Sequence, residues 1–347
     1  MESLTVMATS GLDNSTASTS IKAPDAGQFE VREAGHDDRD AVRTLFSAIF
    51  PDEMSASLWE WKYARPQSRA IVVLKDGNVV AHFGGIGLDM LLEGQPQTVV
   101  QITDLMVDPK VRHAVRRKSP FYLCAKTFLD SFAGFDKPYF LVYGFPSARA
   151  MVLLEKLDLA KTIDHMLEVQ WPLENVIPRA ASNRLIELDA SNFDYHADAV
   201  NVLWETFSRR FDQHFLCRKD ASYFRWRYLQ HPVKKYTIYL QKPDWLRRGA
   251  RLFVLRHDGH RSMLMDVLDP AMDMDAVVTT AKKLSLMENK KTLVTWCTGA
   301  FKSVFDTQSA KFDRLPLAIP ANTCSPAMSW EQQVDKWWLM PGDTDYQ

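Results

Sequence analysis

Apolar and polar residues alternate over residues 29–34 (FEVREA), which predicts a β-strand. The polar run HDDRD at 36–40 then opens a stretch with Val42, Leu45, Phe46 and Ile49 at helical spacing. Asp37 or Asp38 is placed to cap that helix and Pro51 to stop it. Residues 68–75 (SRAIVVLK) and 78–86 (NVVAHFGGI) read as two strands joined by an Asp76-Gly77 hairpin turn. A further β-run at 97–106 (QTVVQITDLM) ends in Val107-Asp108-Pro109. A basic segment, KVRHAVRRK, precedes a helix predicted over 121–132, followed by a strand at 139–143 and a helix at about 147–157. Strand, helix, hairpin, strand, helix, strand, helix describes one mixed α/β unit.

The pattern lapses near Pro172 and Pro178 and then resumes in a similar order. RLIELD reads as a strand, and residues 197–211 as a helix with Val200, Leu203, Trp204 and Phe207 on one face. Strands follow at about 236–241, 251–256 and 262–268. Trp61-Lys62-Tyr63 in the first half is echoed by Trp226-Arg227-Tyr228 in the second, each followed shortly by a Pro and a strand pair. The offset of about 165 residues points to an internal duplication. The expected organisation is a disordered tail over 1–28, rich in Ser, Thr, Ala and Gly, one α/β unit over 29–172, a linker over 173–182 and a second unit over 183–347.

Composition narrows the functional classes. With 42 basic and 43 acidic residues the formal net charge is −1, which argues against a nucleic-acid binder. Apolar runs such as 70–74 and 139–143 fall far short of the roughly 20 residues a membrane-spanning helix needs. The N-terminus lacks a basic region followed by an apolar one, so no secretory signal is expected and the expected compartment is the cytoplasm. Cys124, Cys217, Cys297 and Cys324 stand far apart, with no CxxC pair and no metal-ligand spacing. No metal is expected.

The stretch 103–119 carries the chemistry: a strand ending in a Pro-marked loop that feeds a helix N-terminus, where orphan N–H groups attract phosphate. Arg112, Arg116, Arg117 and Lys118 lie on the approach, and guanidinium groups match phosphate oxygens. Read alone, such a run is equally a solvated loop. The order of elements together with ITDLMVDPKVR…RRKSPFYLCAKTFL resembles the GNAT superfamily of acyl-CoA-dependent N-acyltransferases, in its tandem form. The family's pyrophosphate loop, [QR]-x-x-G-x-[GA], falls on residues 116–121, where Arg116 is kept and Ser119 and Phe121 replace the two small positions. Pro120 removes one N–H donor. A second family segment, N-x-x-A-x-x-L-Y, falls on Ser147 to Leu154, with Ala150 and Leu153 kept and Leu154 where a Tyr acid commonly stands.

The resemblance implies two GNAT-like domains, each a mixed, mostly antiparallel sheet flanked by helices. It implies transfer of an acetyl or other acyl group from acyl-CoA to a small-molecule amine. Backbone N–H groups at Leu105, Met106 and Val107 would hold the pantetheine and thioester oxygen, and Arg112, Arg116, Arg117, Lys118, Ser119, Phe121 and Ser147 would bind the coenzyme. Asp104 is the best-placed base, His82 a second candidate, and Tyr143 or Tyr122 an acid in place of Leu154. The second unit has an acidic run, Ala271 to Asp275, where the basic loop would be, so it is expected to lack a coenzyme site and to complete the acceptor cleft. Trp59, Trp61, Tyr63, Trp226 and Tyr228 suit either such a cleft or packing between the units. The ending around residues 336–345 resembles double-GNAT proteins that accompany surface-polysaccharide genes, which suggests an amino-sugar acceptor. The alternative is a GNAT-fold binding or scaffold protein without catalysis, in which Phe121 fills the pyrophosphate site. Neutral charge counts against a tRNA-borne donor. The oligomeric state is not legible.

Overall fold

The computed structural model describes residues 27–112, 117–173, 184–243, 249–324 and 326–345. Most of the expected tail and linker, together with Arg116, therefore lie outside the described residues. The alternating segment forms β1 (Glu30–Glu33), followed by α1 (Arg39–Ser47), which buries Val42 and Leu45. Asp38 stands at the start of α1 but makes no side-chain cap. Its carboxylate is taken by Arg32, at 2.7 and 2.8 Å, and by the Gly35 N–H. The aromatic segment containing Trp59, Trp61 and Tyr63, given no element by its pattern, is the helix α2 (Ala56–Tyr63), capped by Ser55. Its aromatic residues point in several directions, so it has no apolar stripe to read.

β2 (Arg69–Lys75) and β3 (Asn78–Leu92) form the expected hairpin, with Asp76 and Gly77 both at positive φ. β3 runs six residues beyond its predicted end and turns again at Glu93-Gly94 into β4 (Gln95–Val107). Then come α3 (Pro120–Phe132), β5 (Leu141–Gly144), α4 (Ala148–Lys156) and a long strand the pattern did not mark, β6 (Ala160–Pro172). The second half contains β7 (Leu185–Leu188), α5 (Phe193–Ser208), β8 (Phe215–Cys217), α6 (Ala221–Phe224), a π-helical turn at Arg225–Leu229, β9 (Thr237–Gln241), β10 (Arg251–Asp258) and β11 (Arg261–Leu268). It ends with α7 (Met274–Met287), β12 (Thr292–Thr298), α8 (Lys302–Phe305), β13 (Lys311–Asn322) and β14 (Trp337–Trp338).

Two seven-stranded mixed sheets result, mostly antiparallel, as the expected fold class requires. The first runs β1-β2-β3-β4-β5, and the second β13-β6-β12-β11-β10-β9-β7. Each takes strands from the other half of the chain. β6 enters the second sheet between β12 and β13, while β8 of the second half pairs with the far end of β3 and carries β14 on its other edge. The junction is also sealed by the repeated tryptophans. The rings of Trp61 and Trp226 stack at 4.8 Å, and each indole N–H donates to the other residue's carbonyl, at 2.9 and 3.4 Å. The offset between them is 165 residues.

The second half buries a charged knot. Lys219 bridges Asp266 and Asp343, at 2.9 Å from the latter, and Tyr228 donates to Asp266. All three charged groups are almost fully buried. Gly342 makes room for them, because a Cβ there would collide with the Tyr228 hydroxyl and the Asp266 carboxylate. Burial pushes Asp343 up to about 6, against the pull of Lys219. A knot of this kind contributes little net stability while whole, but losing one partner strands the rest. Lys219→Met, which leaves two buried carboxylates facing each other, is expected to cost about 3–5 kcal/mol in equilibrium urea unfolding. A loss below about 1 kcal/mol would mean that neighbouring groups re-solvate the pair.

Candidate functional site

The site begins where β4 and β5 part. They pair in parallel from Val99–Leu141 to Ile102–Gly144, and beyond that register β4 continues alone. Just past the fork β4 bulges: Thr103 faces Gly84 and Met106 faces His82, so Asp104 and Leu105 together oppose one residue of β3. Asp104 takes φ 47°, a left-handed conformation that Asp adopts more readily than most residues. The bulge turns its side chain toward α2. There Lys62 donates to both carboxylate oxygens, at 2.8 and 3.1 Å, and Tyr63 donates to one of them at 2.6 Å. Gly84 is required here, since any Cβ would strike the Tyr63 hydroxyl.

The third member comes from the far end of the chain. Asp345 lies 3.5 Å from the Lys62 ammonium and accepts from Gln101, also at 3.5 Å. Burial penalises the Lys62 charge, but Asp104 and Asp345 outweigh that and raise its pKa. For Asp104 burial works upward, yet the Lys62 charge and the two hydrogen bonds win and hold it below the usual carboxylate range. Asp345 goes the other way. Burial raises it, Lys62 offsets only part of that, and the negative charge of Asp104 adds to the rise.

A cavity of about 880 Å³ passes through the fork. On one side it is lined by Leu105, Val107, Arg112, the first residues of α3 (Ser119, Pro120, Phe121) and the start of α4 (Ser147, Ala150, Leu153, Leu154). Ser119 and Ser147 cap these two helices, accepting from Tyr122 and Ala150, each at 3.3 Å. Two helix N-termini thus open onto one wall, an arrangement suited to the phosphates of a coenzyme. On the other side stand Phe46, Phe50, Leu58, Trp61 and Lys62, with Arg227, His231 and Lys234 from the second half of the chain and Asp345. Phe121 is one of the residues that line it.

Of the residues singled out in the sequence, Asp104, Leu105, Val107, Arg112, Ser119, Phe121, Tyr143 and Ser147 line this cavity. Others do not. His82 is buried behind the bulge, its Nδ1 2.8 Å from the Asp104 carbonyl oxygen, and burial depresses its pKa. Met106 packs into the core formed with Val42, Leu45 and Trp59. Arg117 and Lys118 stand on the loop outside the lining, and Arg116 falls outside the described residues. Tyr143 faces the cavity but is buried, with its hydroxyl 3.4 Å from the Asp343 carbonyl oxygen, and burial raises its pKa well above normal. Tyr122 and Cys124 are core residues. Arg112 donates to the Val107 carbonyl at 2.7 Å, which steadies the loop end. Pattern reasoning missed Lys62, Asp345, His231 and Lys234. Lys62 carried a signal in the repeated aromatic motif and Asp345 in the ending around residues 336–345, though neither was given a role.

With this geometry in view, the comparisons identify the class. Residues 30–118 match the acetyltransferase (GNAT) domain family. Among solved structures, a conserved protein of unknown function from Enterococcus faecalis V583, described as a probable N-acyltransferase, superposes with a TM-score of 0.64 at 10% identity, over 89% of this chain and 74% of that one. A GCN5-related N-acetyltransferase from Kribbella flavida gives 0.59 at 14% identity, over 88% and 74%. Saccharomyces cerevisiae N-myristoyltransferase with bound myristoyl-CoA gives 0.55 at 12% identity, over 87% and 84%. No curated protein matches the sequence. The chain has the fold of GNAT N-acyltransferases, and residues 30–118 match a GNAT domain, as the sequence resemblance implied. Among the described residues no helix is long and apolar enough to cross a membrane, and no group of three or more His, Cys, Asp or Glu could hold a metal ion.

The opposed shifts at the fork have a measurable consequence. Because Asp104 is depressed, its contribution is complete above the unfolded carboxylate value of about 3.9 and is lost as pH falls through the lower folded value. Asp104→Asn is expected to cost about 3 kcal/mol near pH 6, and the gap from the natural protein is expected to narrow toward pH 3 in urea titrations. A gap independent of pH would contradict the ion pair.

Proposed function

We propose that the protein is an N-acyltransferase that moves an acyl group from acyl-CoA to a small-molecule amine through the β4–β5 fork. The observation that carries this reading is one cavity joining two helix N-termini on one side of the sheet to a buried Asp–Lys–Asp cluster on the other. The α3 and α4 N-termini, with Arg112 and the loop cations Arg117 and Lys118, suit the coenzyme's phosphates. Backbone N–H groups beside the bulge suit the thioester oxygen, where preorganised donors stabilise the developing charge.

The acceptor nitrogen attacks the thioester carbon, the C–S bond breaks to release coenzyme A as a thiolate, and the proton given up by the amine passes by way of a base to that thiolate. Asp104 is committed to Lys62 and Tyr63, which makes it a poor base and a good anchor. Asp345, raised and facing the cavity, is the better proton acceptor. Asp104 then serves to keep Lys62 charged and in place. The aromatic faces of Trp61, Phe46 and Phe50 support an amino sugar as one acceptor class. Phe121 lines the cavity, which supports the catalytic reading over a scaffold in which it fills the coenzyme site.

Calorimetric titration with acetyl-CoA, longer acyl-CoAs and free coenzyme A tests the donor side. Binding is expected, weakened about tenfold or more in Arg112→Ala/Arg117→Ala, and its absence at millimolar ligand with a folded protein would overturn the reading. Once an acceptor is in hand, Asp345→Asn is expected to lower kcat by about a hundredfold or more while leaving coenzyme A binding intact. An unchanged kcat would return the base role to water or to another group.

A further inference from the structure

The cavity extends beyond its polar groups into the core of the first sheet. Phe121, in the first turn of α3, and Leu129, in its third, both line it, so the space follows that helix for about 12 Å. Crosswise it reaches Phe83 on β3, Ile102 on β4 and Val142 on β5, two strand spacings or about 10 Å. Leu154 lines it from α4, and Ala160 from the first residue of β6. Phe83, Leu129, Val142, Leu154 and Ala160 are each less than a tenth exposed and belong to one hydrophobic cluster, with Ile102 packed against it. Among the described residues, the charged groups of the cavity stand elsewhere. Arg112 precedes α3, Arg149 lies in the first turn of α4, and Lys62, Asp104, Asp345 and Arg227 are gathered about the fork.

Polar groups at the apolar end are already spent. The backbones of β4 and β5 pair through Ile102 and Gly144, and Ala160 pairs with Asn322 of β13. The Leu159 N–H donates to the Leu154 carbonyl at 2.9 Å, and the Leu159 carbonyl accepts from Thr323 at 3.1 Å. The side-chain amide of Asn322 exchanges two hydrogen bonds with the Cys324 backbone, at 2.7 and 3.0 Å. A ligand segment carrying amides or hydroxyls would lose water here and gain no partners. The pantetheine arm of coenzyme A carries two amides. It is suited instead to the edge of β4 beyond Ile102, where pairing with β5 has ended. A hydrocarbon chain meets no such cost, and each of its methylenes gains by leaving water.

We propose that the transferred acyl group is a fatty acyl chain of medium length, longer than acetyl, whose hydrocarbon occupies the space between α3 and the β3–β4–β5 face. The inference rests on the acyl-transfer reading and names its donor. The thioester carbon then lies at the fork, with the chain on the α3 side and the amine arriving from the side of Lys62. Bond changes are those of any acyl transfer: the C–N bond forms, the C–S bond breaks, and the amine's proton passes by way of the base to the coenzyme A thiolate. The chain travels with the carbonyl carbon, so the product is an amide bearing a hydrocarbon tail.

A calorimetric series tests this on the full-length protein with free coenzyme A and with acetyl-, butanoyl-, hexanoyl-, octanoyl- and decanoyl-CoA. Affinity is expected to rise about threefold per added methylene until the space is filled, leaving octanoyl-CoA about a hundredfold or more tighter than acetyl-CoA. Ala160→Phe and Val142→Phe each narrow the apolar end. Either is expected to bring the plateau back to butanoyl-CoA or shorter while acetyl-CoA affinity stays within about twofold, with circular dichroism confirming the fold. Two independent variants guard against one that fails to fold, and the natural protein's series is read without them. Equal affinities along a series that does bind, or a rise that folded variants leave intact, overturns the proposal and spares the acyl-transfer reading. Failure of free coenzyme A and every acyl-CoA to bind overturns both.

Discussion

Lys62 is the residue on which the arrangement of the site turns. Its ammonium is almost wholly buried, which costs several kcal/mol unless opposite charge lies within reach. Two carboxylates meet that need, Asp104 on the bulge of β4 and Asp345 near the far end of the chain. Three segments distant in sequence are thereby pinned to one point. The ion pair defines the side-chain direction at the bulge, the seat of α2 and the path of the last residues. Both carboxylates sit at the fork where the strands part, so the constraint that organises the structure also supplies the polar groups of the cavity.

The same device recurs in the second half in sealed form. Lys219, Asp266, Asp343 and Tyr228 reproduce the lysine, paired carboxylates and tyrosine of the fork, and a glycine clears space for the tyrosine hydroxyl in each. In the first half the cluster opens onto the cavity; in the second its three charged groups are excluded from solvent. The last residues serve both, with Asp343 in one cluster and Asp345 in the other. Strand exchange between the sheets and the Trp61–Trp226 stack make the halves mutually dependent. Neither sheet as observed is complete from its own half of the chain.

Much of this was legible in the sequence for a local reason. The β2–β3 hairpin, β4, α3 and α4 are marked by alternation, by an Asp-Gly turn and by helical spacing, all effects acting over a few residues. The Val107-Asp108-Pro109 stop pointed to the end of β4 beside the cavity for the same reason. α2 and β6 were not legible. Trp59 and Tyr63 pack on the core of the first half while Trp61 stacks on Trp226, and β6 is sandwiched between two strands from the other half, so its burial does not alternate as a half-exposed strand would. His82 misled because an alternating strand says which face a histidine occupies, but not that a bulge places a backbone carbonyl over its ring nitrogen.

The class of fold, the recurrence of the tryptophan motif and the position of Asp104 follow from the order of residues alone, because each depends on short-range periodicity or on residues near one another in the chain. Of the two cavity-lining carboxylates, it took the folded structure to hold Asp104 below its usual pKa and to raise Asp345. That difference lies in the distances of Asp104 and Asp345 from one buried lysine, and no spacing along the chain encodes it. Folding also brings Arg227 and Lys234 across the junction to the cavity. Electrostatic energies in a low-dielectric interior depend on separations of a few ångströms between groups, and folding alone sets those separations.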